Sequence, residues 1–137
     1  ELVRRHCPHA IAQASVDELD RLNLLKATVL AMERALHDLG RPVEHALVDG
    51  NRAPPLPCAV HCVVGGDGKS LSIAAASVIA KVHRDRLMAE LDSAFPGYGW
   101  KSNSGYGTKA HLEALRRLGP TPHHRRSFAP VAQFELL

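Results

Sequence analysis

The run His45-Ala-Leu-Val-Asp49-Gly-Asn-Arg-Ala-Pro-Pro-Leu-Pro57-Cys58-Ala-Val-His-Cys-Val-Val-Gly-Gly-Asp67 decides how this chain folds. Residues 45–48 and 58–64 are short apolar runs. One ends at Asp49-Gly50 and the other at the turn-forming Gly65-Gly-Asp-Gly-Lys69, so both read as short buried strands. Asp49 and Asp67 each follow a strand directly, at the place where a sheet hands side chains to a crevice. A glycine after each lets a ligand or an ion come close to the backbone. Two carboxylates converging at one sheet edge suit Mg²⁺ or Mn²⁺, hard ions that prefer oxygen donors.

That convergence depends on strand direction. In a hairpin the two carboxylates would lie at opposite ends, about 17–20 Å apart. Parallel strands bring them to one end, although a crossover normally takes a dozen residues or more. A connection of about eight extended, proline-stiffened residues spans about 25 Å, enough to run back along a strand. The parallel arrangement and the metal site therefore stand or fall together. On spacing alone, two unrelated Asp-Gly turns fit the same residues.

Outward from this run the chain alternates strands and helices, which places it in the α/β class. Ser15-Val-Asp-Glu18 has the form of a capping box. It opens a helix on which Leu19, Leu22, Leu25, Val29, Met32, Leu36 and Leu39 recur at helical spacing, with Gly40 and Pro42 as its stop. Leu22, Leu25, Val29, Met32 and Leu36 are expected in the core, and Cys58 and Cys62 inside a buried strand. Residues 10–14 suggest the tail of another strand. A long helix is expected from about Ser72 to Ala94, small-sided in its first half, with Pro96-Gly97 ending it. A glycine-rich loop over residues 97–107 then precedes a short helix capped by Thr108 and closed by Gly119-Pro120.

The 137 residues suffice for one domain with one modest core. Hydrophobic residues make up 45% and charged residues 23%, which excludes wholesale disorder. No apolar run approaches the ~20 residues of a membrane span, and residues 1–5 do not resemble a signal peptide. A net charge of +3 and a pI near 9.0 are compatible with a polyanionic partner. Three cysteines, an odd number with no CxxC, argue against a disulfide framework or zinc ribbon and for a reducing, cytoplasmic setting. Nine histidines are scattered, with only His123-His124 adjacent, and neither HExxH nor an i,i+4 pair is present to hold zinc.

Several motifs in one order then carry a resemblance. Leu47-Val-Asp-Gly-Asn-Arg52, Val63-Val-Gly-Gly-Asp67, Ile73-Ala-Ala-Ala-Ser-Val-Ile-Ala-Lys-Val-His-Arg-Asp85, Gly105-Tyr-Gly-Thr-Lys-Ala-His111 and His123-His-Arg-Arg-Ser-Phe-Ala-Pro130 resemble bacterial ribonuclease HII over about residues 15–131. The resemblance implies a ribonuclease H-like fold, a mixed sheet flanked by helices. It implies an endonuclease that hydrolyses the RNA strand of RNA–DNA hybrids and incises duplex DNA at embedded ribonucleotides, with Mn²⁺ or Mg²⁺ held by four carboxylates. Asp49 and Asp67 match the third and fourth of these, as catalytic and metal-binding residues. Tyr106 matches a tyrosine that stacks on the deoxyribose beside the ribonucleotide. Lys69, Lys81, Arg84, Lys101 and Arg125 are candidate phosphate contacts, and a monomer is expected.

The family's first motif, Asp-Glu followed by a Gly-Arg-Gly loop, supplies two further carboxylates and the backbone that reads the ribose 2′-hydroxyl. It belongs ahead of Glu1, outside these 137 residues. Asp17-Glu18 is a decoy, because it opens a helix whose dipole favours acids there. Lys101-Ser-Asn-Ser104 also departs from the basic His-Lys pair of many members. The expected architecture is thus an incomplete sheet lacking its first strands. Residues 1–137 form one partial catalytic domain with an irregular basic tail from about residue 120, inactive alone. Two alternatives stay open: a non-catalytic module binding RNA–DNA hybrids, and a metabolic α/β enzyme placing Mg²⁺-phosphate on Asp49 and Asp67. The second would need a phosphate loop, and neither GxGxxG nor GxxxxGK[ST] is present. Lys81, Arg84 and Asp85 also read as a solvated helix face, and His123-His124 as phosphate contacts or structural residues.

Overall fold

A computed structural model describes residues 2–132. In chain order its elements are α1 (Leu2–His6), α2 (Val16–Asp38), β1 (His45–Asp49), β2 (Ala59–Val63), a 3₁₀ turn (Gly66–Gly68), α3 (Leu71–Ala94), α4 (Trp100–Asn103), α5 (Lys109–Leu118) and α6 (Ala129–Ala132). They form two compact units. The first combines residues up to Ala14 with Leu22–Lys81, and the second combines Ser15–Arg21 with residues from Val82 onward. Among the described residues no helix is long and apolar enough to cross a membrane.

In the first unit β1 and β2 pair in parallel, with His45 opposite Ala59, Leu47 opposite His61 and Asp49 opposite Val63. Prolines at 54, 55 and 57 deny the connection both a helix and a ladder, so it returns as irregular chain. The Ala59 N–H donates to Glu44 O at 3.0 Å and the Gly50 N–H to Val63 O at 3.1 Å, prolonging the pairing at both ends. The mixed α/β class expected from the sequence is present, with a sheet of these two strands.

Four expectations for this unit need correction. Residues 10–14 form no strand, since an extended segment is a strand only where a neighbour accepts its hydrogen bonds, and the described ladder holds β1 and β2 alone. The strands are not buried. Exposure alternates along β1, Leu47 stays open to solvent, Cys62 is exposed and Cys58 is half-buried, because two strands cannot enclose two faces. Helix α2 is interrupted at Asn23 (φ 70°, ψ 167°), whose Oδ1 accepts from the Lys26 N–H at 3.1 Å and restarts the helix as a cap. Its leucine stripe is not a core either. Leu25 is exposed, Leu22, Val29, Met32 and Leu36 are half-buried, and Ala27 is the fully covered residue of the helix.

The second unit has the better core. Met88, Tyr98, Trp100, Ala114, Leu115 and Val131 are buried together, with Leu91, Phe95 and Phe128 packed against them. Thr108 caps α5 as expected, its side chain accepting from the His111 N–H. Gly119 (φ 77°) closes it, in a backbone region that side-chain-bearing residues avoid. Residues beyond 120 are less irregular than expected: α6 forms, and its Val131 joins the core. The capping box is also realised. Glu18 Oε2 accepts from the Ser15 N–H at 2.8 Å, and Ser15 Oγ accepts from the Glu18 N–H at 3.2 Å.

Two residues beyond Glu18 on α2, Asp20 ties the unit together. It accepts the Arg126 N–H at 2.8 Å, the Ser127 N–H at 3.0 Å and the Ser127 hydroxyl at 2.5 Å. Burial alone would raise the Asp20 carboxyl. The Ser127 and Arg126 hydrogen bonds and the nearby Arg125 charge instead hold it below its ordinary value. Near the core, His124 Nδ1 accepts from the Thr121 N–H at 3.0 Å, which leaves the proton on Nε2, buried and without a partner. Its imidazole stacks on His111 with centroids 5.4 Å apart. Burial, with His111 and His123 nearby, lowers its pKa to about 4.

Two stability measurements follow from these groups. Asp20→Asn should cost about 1–2 kcal/mol at pH 7, the worth of a charged hydrogen-bond acceptor moderated by solvent exposure. Because the folded carboxyl is depressed, its contribution is present above the unfolded value and is lost as pH falls through the folded one. Urea midpoints of wild type and variant should therefore converge below about pH 4. For His124 the folded state disfavours the proton, so stability should decline as pH falls from about 6.5 towards 4. A slope across that window unchanged in His124→Phe would refute the assignment.

Candidate active site

Parallel pairing sets the geometry of the two carboxylates. Asp49 closes β1 opposite Val63, the last residue of β2, and Asp67 lies in the turn that follows. Both therefore belong to the C-terminal end of the strand pair. Gly65 adopts the left-handed conformation (φ 65°, ψ 41°) and turns the chain into the 3₁₀ segment. There the Gly66 N–H donates to Asp49 Oδ1 at 2.9 Å, so the residue preceding Asp67 is bonded to the side chain of Asp49. The Gly68 N–H donates to Asp67 Oδ1 at 3.0 Å.

The second glycine is needed for space. A Cβ on Gly66 would lie 2.6 Å from Ile73 Cδ1 and 3.5 Å from Asp49 Oδ1. Ile73, buried near the start of α3, thus presses on the turn that carries the Asp49 contact. Lys69 Nζ donates to Val64 O at 2.7 Å and braces the turn from the other side. Each aspartate is exposed and has a second oxygen with no hydrogen-bond partner among the described residues.

This donor set is of the right kind for an oxygen-preferring divalent ion: carboxylates oriented by backbone N–H groups, with room for water. It is small. Among the described residues no group of three or more His, Cys, Asp or Glu side chains could hold a metal ion.

The remaining candidates divide between the units. Lys69 and Lys81 belong with the aspartates in the first unit, and Lys81 is exposed on α3. Arg84, Lys101, Tyr106 and Arg125 belong to the second. Tyr106 is 72% exposed, at the tip of a loop held by its own bonds. Asn103 Oδ1 accepts the Gly105 N–H at 2.9 Å and Asn103 O accepts the Tyr106 N–H at 2.9 Å. Ser104 (φ 50°) and Gly105 (φ 78°) make the left-handed turn. Arg84 Nη2 donates to Ser104 O at 2.7 Å, so this arginine braces the tyrosine loop. Arg125 lies over the Phe128 ring, 5.8 Å from its centroid. Ile73, Asn103 and Ser104 escaped the sequence reading as supporting residues. Asn-Ser-Gly is a turn signal that could have pointed to the last two.

Comparison with known proteins places the chain among relatives. The family described as Ribonuclease HII matches residues 3–131 of the chain. Ribonuclease HII of Paramagnetospirillum magneticum is 65% identical over 136 residues, covering 99% of this chain and 68% of that protein. Ribonuclease HII of Rhodospirillum rubrum is 66% identical over 123 residues, covering 90% of this chain and 56% of the relative. The protein of the same name from Sphingopyxis alaskensis is 54% identical over 135 residues, covering 98% and 68% respectively. The chain thus spans between about half and two thirds of the length of these relatives.

The contact of Ile73 with Gly66 gives a test of the turn. Gly66→Ala should destabilise the chain by about 1–3 kcal/mol in urea, the usual cost of overpacking. Ile73→Val, which removes the clashing Cδ1, should recover part of that loss in the double variant. Strict additivity of the two substitutions would show that the turn does not depend on this contact.

Proposed function

The chain belongs to the ribonuclease HII family, and on that premise we propose that it carries part of the active site of a divalent-metal endonuclease. The substrates are the RNA strand of RNA–DNA hybrids and duplex DNA with embedded ribonucleotides. Asp49 and Asp67 supply two of the four carboxylates. The observation that carries this reading is the Gly66 N–H on Asp49 Oδ1, which ties both aspartates to one end of a parallel strand pair. Mn²⁺ or Mg²⁺, when bound there, would activate a water and offset the charge that develops on the phosphodiester.

The chain's own residues have separable tasks. Backbone donors to Oδ1 of each aspartate keep those oxygens occupied and orient the others towards an ion. Tyr106 presents an exposed flat ring suited to stacking on the sugar beside the ribonucleotide, on a loop braced by Arg84. Lys69, Lys81, Arg84, Lys101 and Arg125 contribute positive charge for phosphate contacts, with Arg84 and Lys69 also holding turns.

As these 137 residues stand, two carboxylates are too little negative charge to hold two ions and position a nucleophile. The chain by itself is therefore read as a hybrid-binding module without turnover, a second reading favoured by the exposed Tyr106 ring and the exposed Lys101 and Arg125.

Purified chain should bind an RNA–DNA hybrid with affinity that falls steeply with salt, as phosphate contacts require, and should leave the RNA strand uncut in Mn²⁺ or Mg²⁺. In a chain extended to carry Asp-Glu followed by Gly-Arg-Gly, Asp49→Asn should abolish turnover while sparing hybrid affinity. Tyr106→Ala should reduce incision at single ribonucleotides about five- to a hundred-fold, the worth of one stacking platform. Metal-dependent cleavage by the 137 residues, abolished by Asp49→Asn, would overturn the assignment of inactivity. Wild-type incision by Tyr106→Ala would reduce that tyrosine to a turn aromatic.

A further inference from the structure

On the face of the strand pair that carries Asp49, but towards its other end, His45 and His61 meet across the ladder. His45 Nδ1 and His61 Nε2 stand 3.1 Å apart, with ring centroids 5.3 Å apart and planes inclined by 29°. Both side chains are exposed, so water could satisfy either ring and nothing forces the nitrogens together for want of partners. The register explains the meeting. His61 lies opposite Leu47, one pleat along from His45, and residues two apart on a strand share a face.

We propose that His45 and His61 form a chelating site for a borderline transition-metal ion, Zn²⁺, Ni²⁺ or Cu²⁺, with water completing the coordination shell. Two imidazole nitrogens bound to one tetrahedral zinc at about 2.0–2.1 Å stand about 3.3–3.4 Å apart. The observed separation is already within a few tenths of an ångström of that bite. The ladder fixes the backbone positions of the two residues, so only the side chains remain to be ordered on binding.

This site is separate from the carboxylates in position and in chemistry. Asp49 lies four residues beyond His45 on β1, about 13 Å at the usual rise of a strand. Imidazole selects Zn²⁺, Ni²⁺ and Cu²⁺, whereas carboxylate and water select Mg²⁺ and Mn²⁺. An ion on both histidines would also clip β1 to β2, stabilising the folded pair because the unfolded chain has no such arrangement.

Titration calorimetry of the 137-residue chain with Zn²⁺ decides the matter. Wild type should show a site of roughly micromolar to tens-of-micromolar affinity, with Cu²⁺ tighter, in accord with the general order of divalent affinities. His45→Gln and His61→Gln should each weaken it at least tenfold, and the double variant should lose little more than either alone. Cys62→Ser, whose side chain alternates to the opposite face from His61, should bind as wild type. A tenfold excess of Mg²⁺ should not displace the zinc. Substoichiometric Cu²⁺ should broaden amide resonances of residues 44–48 and 59–63 first, a readout that needs no variant. No zinc binding, retention of wild-type affinity in either histidine variant, loss in Cys62→Ser alone, or broadening centred elsewhere would each overturn the proposal.

Discussion

Everything of interest in the first unit depends on the parallel pairing of β1 with β2. A connection of irregular, proline-rich chain forces β2 to start beside the beginning of β1 and to end beside Asp49. Had the strands formed a hairpin, Asp67 would lie at the far end of the ladder and the Gly66 N–H could not reach the Asp49 carboxylate. The hydrogen bond at 2.9 Å is therefore a consequence of topology, and it orients one of the two acidic groups before any ligand arrives. The same register brings His45 and His61 within 3.1 Å at the opposite end. One ladder thus places carboxylates at one end and imidazoles at the other.

The two units invest their apolar residues differently. The second encloses Trp100, Tyr98, Met88 and Leu115 in a common core, with Val131 from α6 completing it. Its loops are then held by specific polar contacts: Asp20 on Ser127 and Arg126, Arg84 on Ser104, Tyr98 hydroxyl on Gly119 O at 2.6 Å. In the first unit Leu24, Leu25, Leu47, Val64, Leu71 and Val78 remain exposed. A two-stranded sheet has too little surface to cover helices on either side, so a leucine stripe with good helical periodicity ends up half-buried.

Local physics supplies the form of the candidate site. A turn with Gly65 in the left-handed region and Gly66 under Ile73 is what lets the chain pass so close to Asp49. A loop with Ser104 and Gly105 at positive φ is what presents Tyr106 outward. In both places a neighbouring side chain, Ile73 against the Gly66 turn or Arg84 on Ser104 O, holds the local backbone where it is.

Local rules determined the capping box at Ser15, the cap at Thr108, the long α3 with its end near Pro96, and the motif series that points to ribonuclease HII. These depend on neighbours a few residues apart, and such interactions are written in the order of the chain. Asp49 and Asp67 were legible as a pair only on the condition of parallel strands, and tertiary structure supplied that condition. The break of α2 at Asn23, the solvent exposure of Leu25 and Cys62, the absence of a strand at residues 10–14 and the capture of Val131 by the core were not legible. Burial and strand identity are properties of what lies opposite a residue, and no spacing in the sequence states that. His45 and His61 are the clearest case: sixteen residues apart, they match no metal-binding spacing, and only the register of two parallel strands makes them neighbours.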